Sequence, residues 1–353
     1  MNNKYLLCCE LVGAYIGEKE LNNELFVGLN DIAWRELIEF ARDQGVLYIT
    51  ISSISLLPVE LKPCEDLWIE FVGLLYYGEQ RFYNKQEIAI SIVEMYKKAG
   101  LKTLILKGFS LADLYHQPSY REGGDLDIWM FGEFQKSVEL IKQNGVNIAK
   151  ITHKGTNYAY RGLDIDNHKS FSNVRKFRVD GIVEKSLQQN IIDEAPELFS
   201  LGDSGAKAYR ASATFNAIFV ARHIMCHFSN NLTLHQLCDW VVLLNKQGDK
   251  INKAYVKEVF VKIGLWDLLC GISIYCEKYL GLKPENNFVD RIESSNYETM
   301  ITSIITGKEN RKGRLANYFA TFKHRKTAHN LSTIGLLWST IKIYIYSFWD
   351  KFR

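Results

Sequence analysis

Residues 104–130 read LILKGFSLADLYHQPSYREGGDLDIWM, and this stretch decides the fold. It opens inside the apolar run Leu101–Leu106, which is too short for a core helix and ends at Lys107-Gly108, so it reads as a strand. Phe109–His116 has helical character, and Gln117–Gly124 is a turn-rich link. Asp125–Met130 then alternates acidic and apolar residues, as a half-buried strand does. On a strand, residues i and i+2 face the same way, so Asp125 and Asp127 project together while Leu126 and Ile128 enter the core.

Two carboxylates held that close repel each other unless a cation sits between them. Hard oxygen ligands in this arrangement suit Mg²⁺ or Mn²⁺, and such ions bridge nucleotide phosphates during phosphoryl transfer. Gly108 lets the backbone approach a ligand, and the N–H groups that open the following helix favour an anion. Lys107 reads as a phosphate contact or a strand-end cap. Arg121, four residues ahead of Asp125, suits bidentate phosphate binding or an ion pair with Asp125 or Asp127.

Further along, Glu133–Asn144 reads as a helix and Val146–Ile151, Asn157–Arg161 and Leu163–Asp166 as strands. Residues 99–185 therefore form a small mixed α/β core. The flanks read as helical, over 1–98 and 186–353. In the first, Asn30–Gly45 carries apolar residues at helical spacing, with Asn30 or Asp31 as N-cap. Glu65–Lys98 has no proline and reads as one long helix. Lys207–Phe228, Leu234–Asn245 and Lys253–Gly264 are the clearest helices of the second flank.

The 353 residues exceed what one core holds, and 47% hydrophobic with 24% charged residues excludes a disordered or fibrous chain. A net charge of +3 does not by itself imply a nucleic-acid partner. Seven scattered cysteines without a CxxC pair imply a reduced, cytoplasmic chain.

The run quoted above resembles the signature of a large nucleotidyltransferase family within the DNA-polymerase-β-type superfamily: an apolar strand ending in LKG, a helix, an Arg and a DxD strand. The similarity extends to LDIDNHKSF (163–171) and to HIMCHFSNNLTLHQLCDWVVLL (223–244). The resemblance implies an α+β fold, a small mixed-sheet nucleotidyltransferase core between helical regions. It also implies a metal-dependent enzyme that moves an NMP group from an NTP, such as ATP, to an acceptor hydroxyl or phosphate and releases pyrophosphate. By the same resemblance Asp125 and Asp127 hold Mg²⁺ or Mn²⁺, and the triphosphate lies over Gly108–Ser110 beside Lys107 and Arg121. A third carboxylate on a neighbouring strand is also implied: Asp166 fits the acidic-x-His pattern, and Asp164, of the same parity, is its rival.

The chain departs from the superfamily after Gly108, where Phe109 stands and Ser110 comes one residue later. This keeps a second reading open, a catalytically weak or inactive nucleotide-binding or interaction module of the same fold. His168 reads as a hydrogen-bonded structural histidine or as a base or ligand. His223, Cys226 and His227 have zinc-compatible spacing but no supporting CxxC, so helix packing or a substrate-side role is favoured. From Lys308 the chain carries ten basic residues against two acidic ones, an anionic-surface candidate. Leu331–Trp349 reads as a helix packed on the body or attached peripherally to a membrane.

Overall fold

The computed structural model describes residues 3–148, 150–175, 177–202, 205–228, 232–307, 323–332 and 335. The helices α1 (Asn3–Gly17), α2 (Asp31–Asp43), α3 (Leu47–Ile54) and α4 (Glu65–Lys98) come first. Asn30 is the N-cap of α2: its side-chain oxygen accepts from the Ala33 N–H at 2.9 Å, satisfying one of the donors a helix start leaves free. Trp34, Leu37, Ile38 and Ala41 form the buried face of α2, whereas Ile32 is exposed.

The sheet follows, with β1 (Leu104–Ile105), α5 (Phe109–Ala112), β2 (Asp125–Trp129), α6 (Phe134–Gln143), β3 (Gly155–Tyr160), β4 (Leu163–His168), α7 (Arg178–Asp193), β5 (Glu197–Ser200) and β6 (Lys207–Arg210). The order across the sheet is β3-β4-β2-β1-β6-β5. β2 runs parallel to β4 and β1 parallel to β6; the other neighbours are antiparallel. The helices α8 (Ala213–His227), α9 (Leu234–Gln247), α10 (Lys253–Lys262), α11 (Trp266–Tyr279) and α12 (Ser295–Ile305) complete the described chain.

Strand alternation divides the core in two. Leu126, Ile128 and Met130 pack with Ile105, Ile165 and the α4 residues Ile92 and Tyr96 on one face. Leu104, Leu106 and Trp129 join the other, where α7 and α8 supply Val183 and Phe215. That second cluster also contains Trp34 and Leu37 of α2 and Trp240 of α9, so the two helical flanks share one core. A 2.6 Å hydrogen bond between the hydroxyls of Tyr5 and Tyr275 links α1 to α11 within it.

Three segments differ from their sequence reading. The ladder of β1 is confined to two residues, with Leu106 continuing it through one bond from its N–H to the Asp127 carbonyl, 3.1 Å. The described residues of 146–151 form no strand: Val146 and Ile148 pack against the core, and Ile151 makes an isolated bridge to Thr156 before the turn at Thr152–Gly155 reverses the chain. Lys207–Arg210 is a strand, not the start of a helix. Its period-two burial puts Ala208 in the core, and Ser212 then caps α8 by accepting from the Phe215 N–H at 3.0 Å. The sheet thus draws on residues 104–210, past position 185.

Candidate active site

Asp125 and Asp127 share the β2 face that carries Trp129, the face turned toward the helical body. The parallel register sets Asp127 beside Asp166 and Asp125 beside Asp164. Asp127, Asp166 and His168 each offer a ligand atom within 4.8 Å of the others, the three-ligand cluster found among the described residues. Asp164 is exposed and lines a shallow groove with Asp125, Asp166 and Asn157.

Asp127 is the most enclosed carboxylate of the group, 3% exposed. Its Oδ1 lies 2.8 Å from His168 Nε2, and its Oδ2 lies 3.0 Å from Lys107 Nζ. Burial alone would raise its pKa, but the His168 hydrogen bond and the Lys107 charge hold the carboxyl well below the usual range. Burial works against the Lys107 ammonium too, yet Asp127 and Asp125 raise it on balance. Lys107 also reaches Asp125, at 3.8 Å, so one ammonium is shared by both carboxylates and offsets part of their charge. The Asp166 carboxyl is pushed up by burial and then by the Asp127 charge, and Asn157 donates to it from β3.

This donor set fits a divalent ion. Its oxygens are hard ligands, and Asp127 Oδ2, though charge-paired with Lys107, is buried without an aligned hydrogen bond, leaving lone-pair capacity.

The cluster opens into a cavity of about 910 Å³ between the sheet, α2–α4 and α7–α9. Gly108 lines it with φ +62 and ψ −116, a conformation that favours glycine, and a Cβ there would meet only the Asp125 carbonyl oxygen, at 3.7 Å. Ser110 is turned away from this space: it is 3% exposed, and its hydroxyl lies 3.4 Å from the Lys107 carbonyl.

Arg121 is paired neither with Asp125 nor with Asp127. Its Nε and Nη2 grip the two carboxylate oxygens of Asp239 on α9 at 2.8 and 2.7 Å, and Tyr115 donates to the same carboxylate at 2.7 Å. The reason is depth: α9 brings a buried carboxylate to a guanidinium that is itself only 6% exposed. Burial opposes the charged form of Asp239, but Arg121 lowers its pKa to about 2. The next residues are clamped as well. Glu122 accepts from the Leu47 N–H, and Lys85 of α4 donates to the Gly123 carbonyl at 2.7 Å. The entry to β2 is therefore fixed from α9, α3 and α4 at once.

Sequence reasoning missed the contribution of α4. Gly78, Arg81, Phe82 and Lys85 all line the cavity. Their i, i+3, i+4, i+7 spacing is the one signal that could have found them, because it places two cations and an aromatic on one stripe. Across the cavity stand Phe171, Phe177, Phe219, His223 and Arg325. The His223 and His227 rings meet edge-on at 4.5 Å, and burial lowers the His223 pKa well below its ordinary value. Arg222, beside His223, is held by Asp180 at 2.8 Å through Nε and by the Ala328 carbonyl at 2.8 Å.

The seven cysteines are free. Among the described residues no helix is long and apolar enough to cross a membrane. Most of the basic tail and of Leu331–Trp349 lies outside the described residues; of the tail's cations, Lys323, Arg325 and Lys326 lie within them.

Among solved structures, the chain is similar to the antibiotic-resistance factor ANT(2'')-Ia in solution, at 8% identity and a TM-score of 0.37, covering 56% of this chain and 98% of that one. It is also similar to the crystal structure of an antigenic nucleotidyltransferase-like protein from Paracoccidioides brasiliensis, at 10% identity and a TM-score of 0.34, covering 56% and 92%. No curated protein matches in sequence. The profile of the family described as uncharacterised nucleotidyltransferase matches residues 30–281, more than half of the 353, and takes in the LKG turn, Arg121, the DxD strand, Asp166 and His223–Leu244. The chain belongs to that nucleotidyltransferase family, on an α+β fold.

Proposed function

We propose that this chain is a metal-dependent nucleotidyltransferase that moves an NMP group from an NTP to an acceptor hydroxyl or phosphate. The observation that carries the reading is the convergence of Asp127 and Asp166 beside Asp125, under Lys107, at the floor of the cavity. Asp125, Asp127 and Asp166 would hold Mg²⁺ or Mn²⁺, which when bound neutralises charge developing on the transferring phosphoryl group. Lys107, which contacts both aspartates here, is then available to a phosphate oxygen. Gly108 leaves the backbone uncovered beside it. The acceptor oxygen forms a bond to the α-phosphorus as the bond to the bridging oxygen breaks; pyrophosphate leaves and the acceptor's proton is released. His168 positions Asp127 through its 2.8 Å contact. The reduced thiols fit a cytoplasmic setting.

Pyrophosphate release from each NTP, with Mg²⁺ or Mn²⁺ and a panel of hydroxyl acceptors, tests the reading. Asp127→Asn should remove turnover while the far-UV spectrum stays unchanged, and an active Asp127→Asn protein would sink the mechanism. A second reading draws on Ser110, which does not line the cavity, and on Phe109 in its place: a nucleotide-binding module without turnover. It predicts metal-dependent nucleotide binding and no pyrophosphate.

A further inference from the structure

Arg121 is committed to Asp239, which leaves Lys107 as the one cation nominated from sequence to meet a triphosphate. A polyanion of that charge calls for more. Phe82 packs its ring against Phe109 at 5.3 Å, so α4 lies directly on the Lys107-Gly108-Phe109 turn. Lys85, one turn further along the same stripe, lines the same cavity. The residue is half-buried, and the hydrogen-bond partner of its ammonium is the neutral Gly123 carbonyl at 2.7 Å. Among the described residues it takes part in no ion pair within 4 Å, whereas Lys107 has two. Burial and then the Arg81 charge lower its pKa although Asp125, Asp164 and Glu122 pull the other way, so an anion brought against it would favour its charged form.

We propose that Lys85 is a phosphate-binding residue: its ammonium meets the triphosphate of the donor nucleotide opposite Gly108, with Arg81 adding positive charge from the preceding turn of the same stripe. The inference rests on the nucleotidyltransferase reading above. It makes α4 the donor wall of the cavity and leaves the wall of Phe171, Phe177, Phe219 and His223 to the acceptor. A lysine that only clips the Gly123 loop would act on the metal cluster as a whole, and the two roles separate by experiment.

Calorimetric titrations of the full chain with Mg²⁺-ATP and with Mg²⁺-tripolyphosphate should be compared for wild type, Lys85→Ala and Lys85→Arg, with Mn²⁺ binding followed separately by paramagnetic resonance. Loss of a charge-assisted contact predicts a rise in Kd of about tenfold or more for both phosphates in Lys85→Ala. Lys85→Arg should recover most of it, and Mn²⁺ affinity should stay as in wild type. Equal phosphate affinity in Lys85→Ala, or parallel loss of Mn²⁺ binding, overturns the inference. If wild type binds ATP in a way that Asp125→Ala/Asp127→Ala abolishes but Lys85 does not affect, this inference alone falls. If wild type binds neither phosphate, the donor reading falls with it.

Discussion

Replacing Asp239 by Asn should cost more stability than any exposed charge change in the molecule. Asp239 receives two bonds from Arg121 and one from Tyr115, and the facing side chains of the ion pair are 4% and 9% exposed. The amide keeps the shape but leaves the guanidinium buried without a counter-charge. Breaking a buried pair in this one-sided way costs roughly 3–5 kcal/mol, against about 0–1 for a surface pair. Total stabilities of domains are on the order of 5–15 kcal/mol, so the loss would be plain in a urea titration. Removing both partners, as in Arg121→Met/Asp239→Leu, should recover much of it, since an apolar pair leaves no charge uncompensated. The pH dependence has a definite sign. Arg121 lowers the Asp239 pKa to about 2, so its contribution is complete above the unfolded value of about 3.9 and is lost as pH falls from there toward 2. Because Arg121 stands at the entry to β2, Asp239→Asn should also weaken Mn²⁺ binding at Asp125 and Asp127. A loss under about 1 kcal/mol at pH 7 would refute the claim that this pair anchors the site.

Gly108→Ala places a side chain at φ +62, ψ −116, where the nearest atom to its Cβ is 3.7 Å away, so the cost is backbone conformation and not collision. A loss of about 1–3 kcal/mol is expected, with weaker nucleotide binding; unchanged thermal stability would mean the turn is not held in that conformation. Glu122 carries a carboxyl that burial raises to about 7. Its acid form is favoured on folding, so it contributes most at low pH and its contribution falls as pH rises from about 4.5 toward 7. Glu122→Gln should flatten the decline in urea midpoint between pH 5 and pH 7.5, and a variant with the wild-type slope would assign that decline to other groups.

The elements legible in the sequence were those whose signals are local. Asn30 marks its helix because a cap acts on residues three positions away, and Glu65–Lys98 is one helix because nothing inside it breaks the backbone. The DLDI alternation was readable because strand parity is a property of neighbouring residues. What stayed hidden depends on contacts far apart in the chain. Arg121 and Asp239 are 118 positions apart, so a cation that sequence assigns to phosphate is instead spent on holding α9. Lys85 lies on a helix rich in charged residues, where a lone lysine reads as solvated surface, and only packing on the Gly108 turn distinguishes it. KAYR (207–210) reads as part of the helix after it because its alternation spans just four residues. That the two helical flanks share a core follows from Trp34 and Trp240 entering one cluster, which no local period records.

The most direct test of the central claim is a thermal-shift titration of wild type and Asp125→Ala/Asp127→Ala with each of the four NTPs, with and without Mg²⁺ or Mn²⁺. The account predicts stabilisation by at least one NTP that requires the metal and vanishes in the double variant. Stabilisation by no nucleotide under any metal condition, or an equal shift in the double variant, would contradict it.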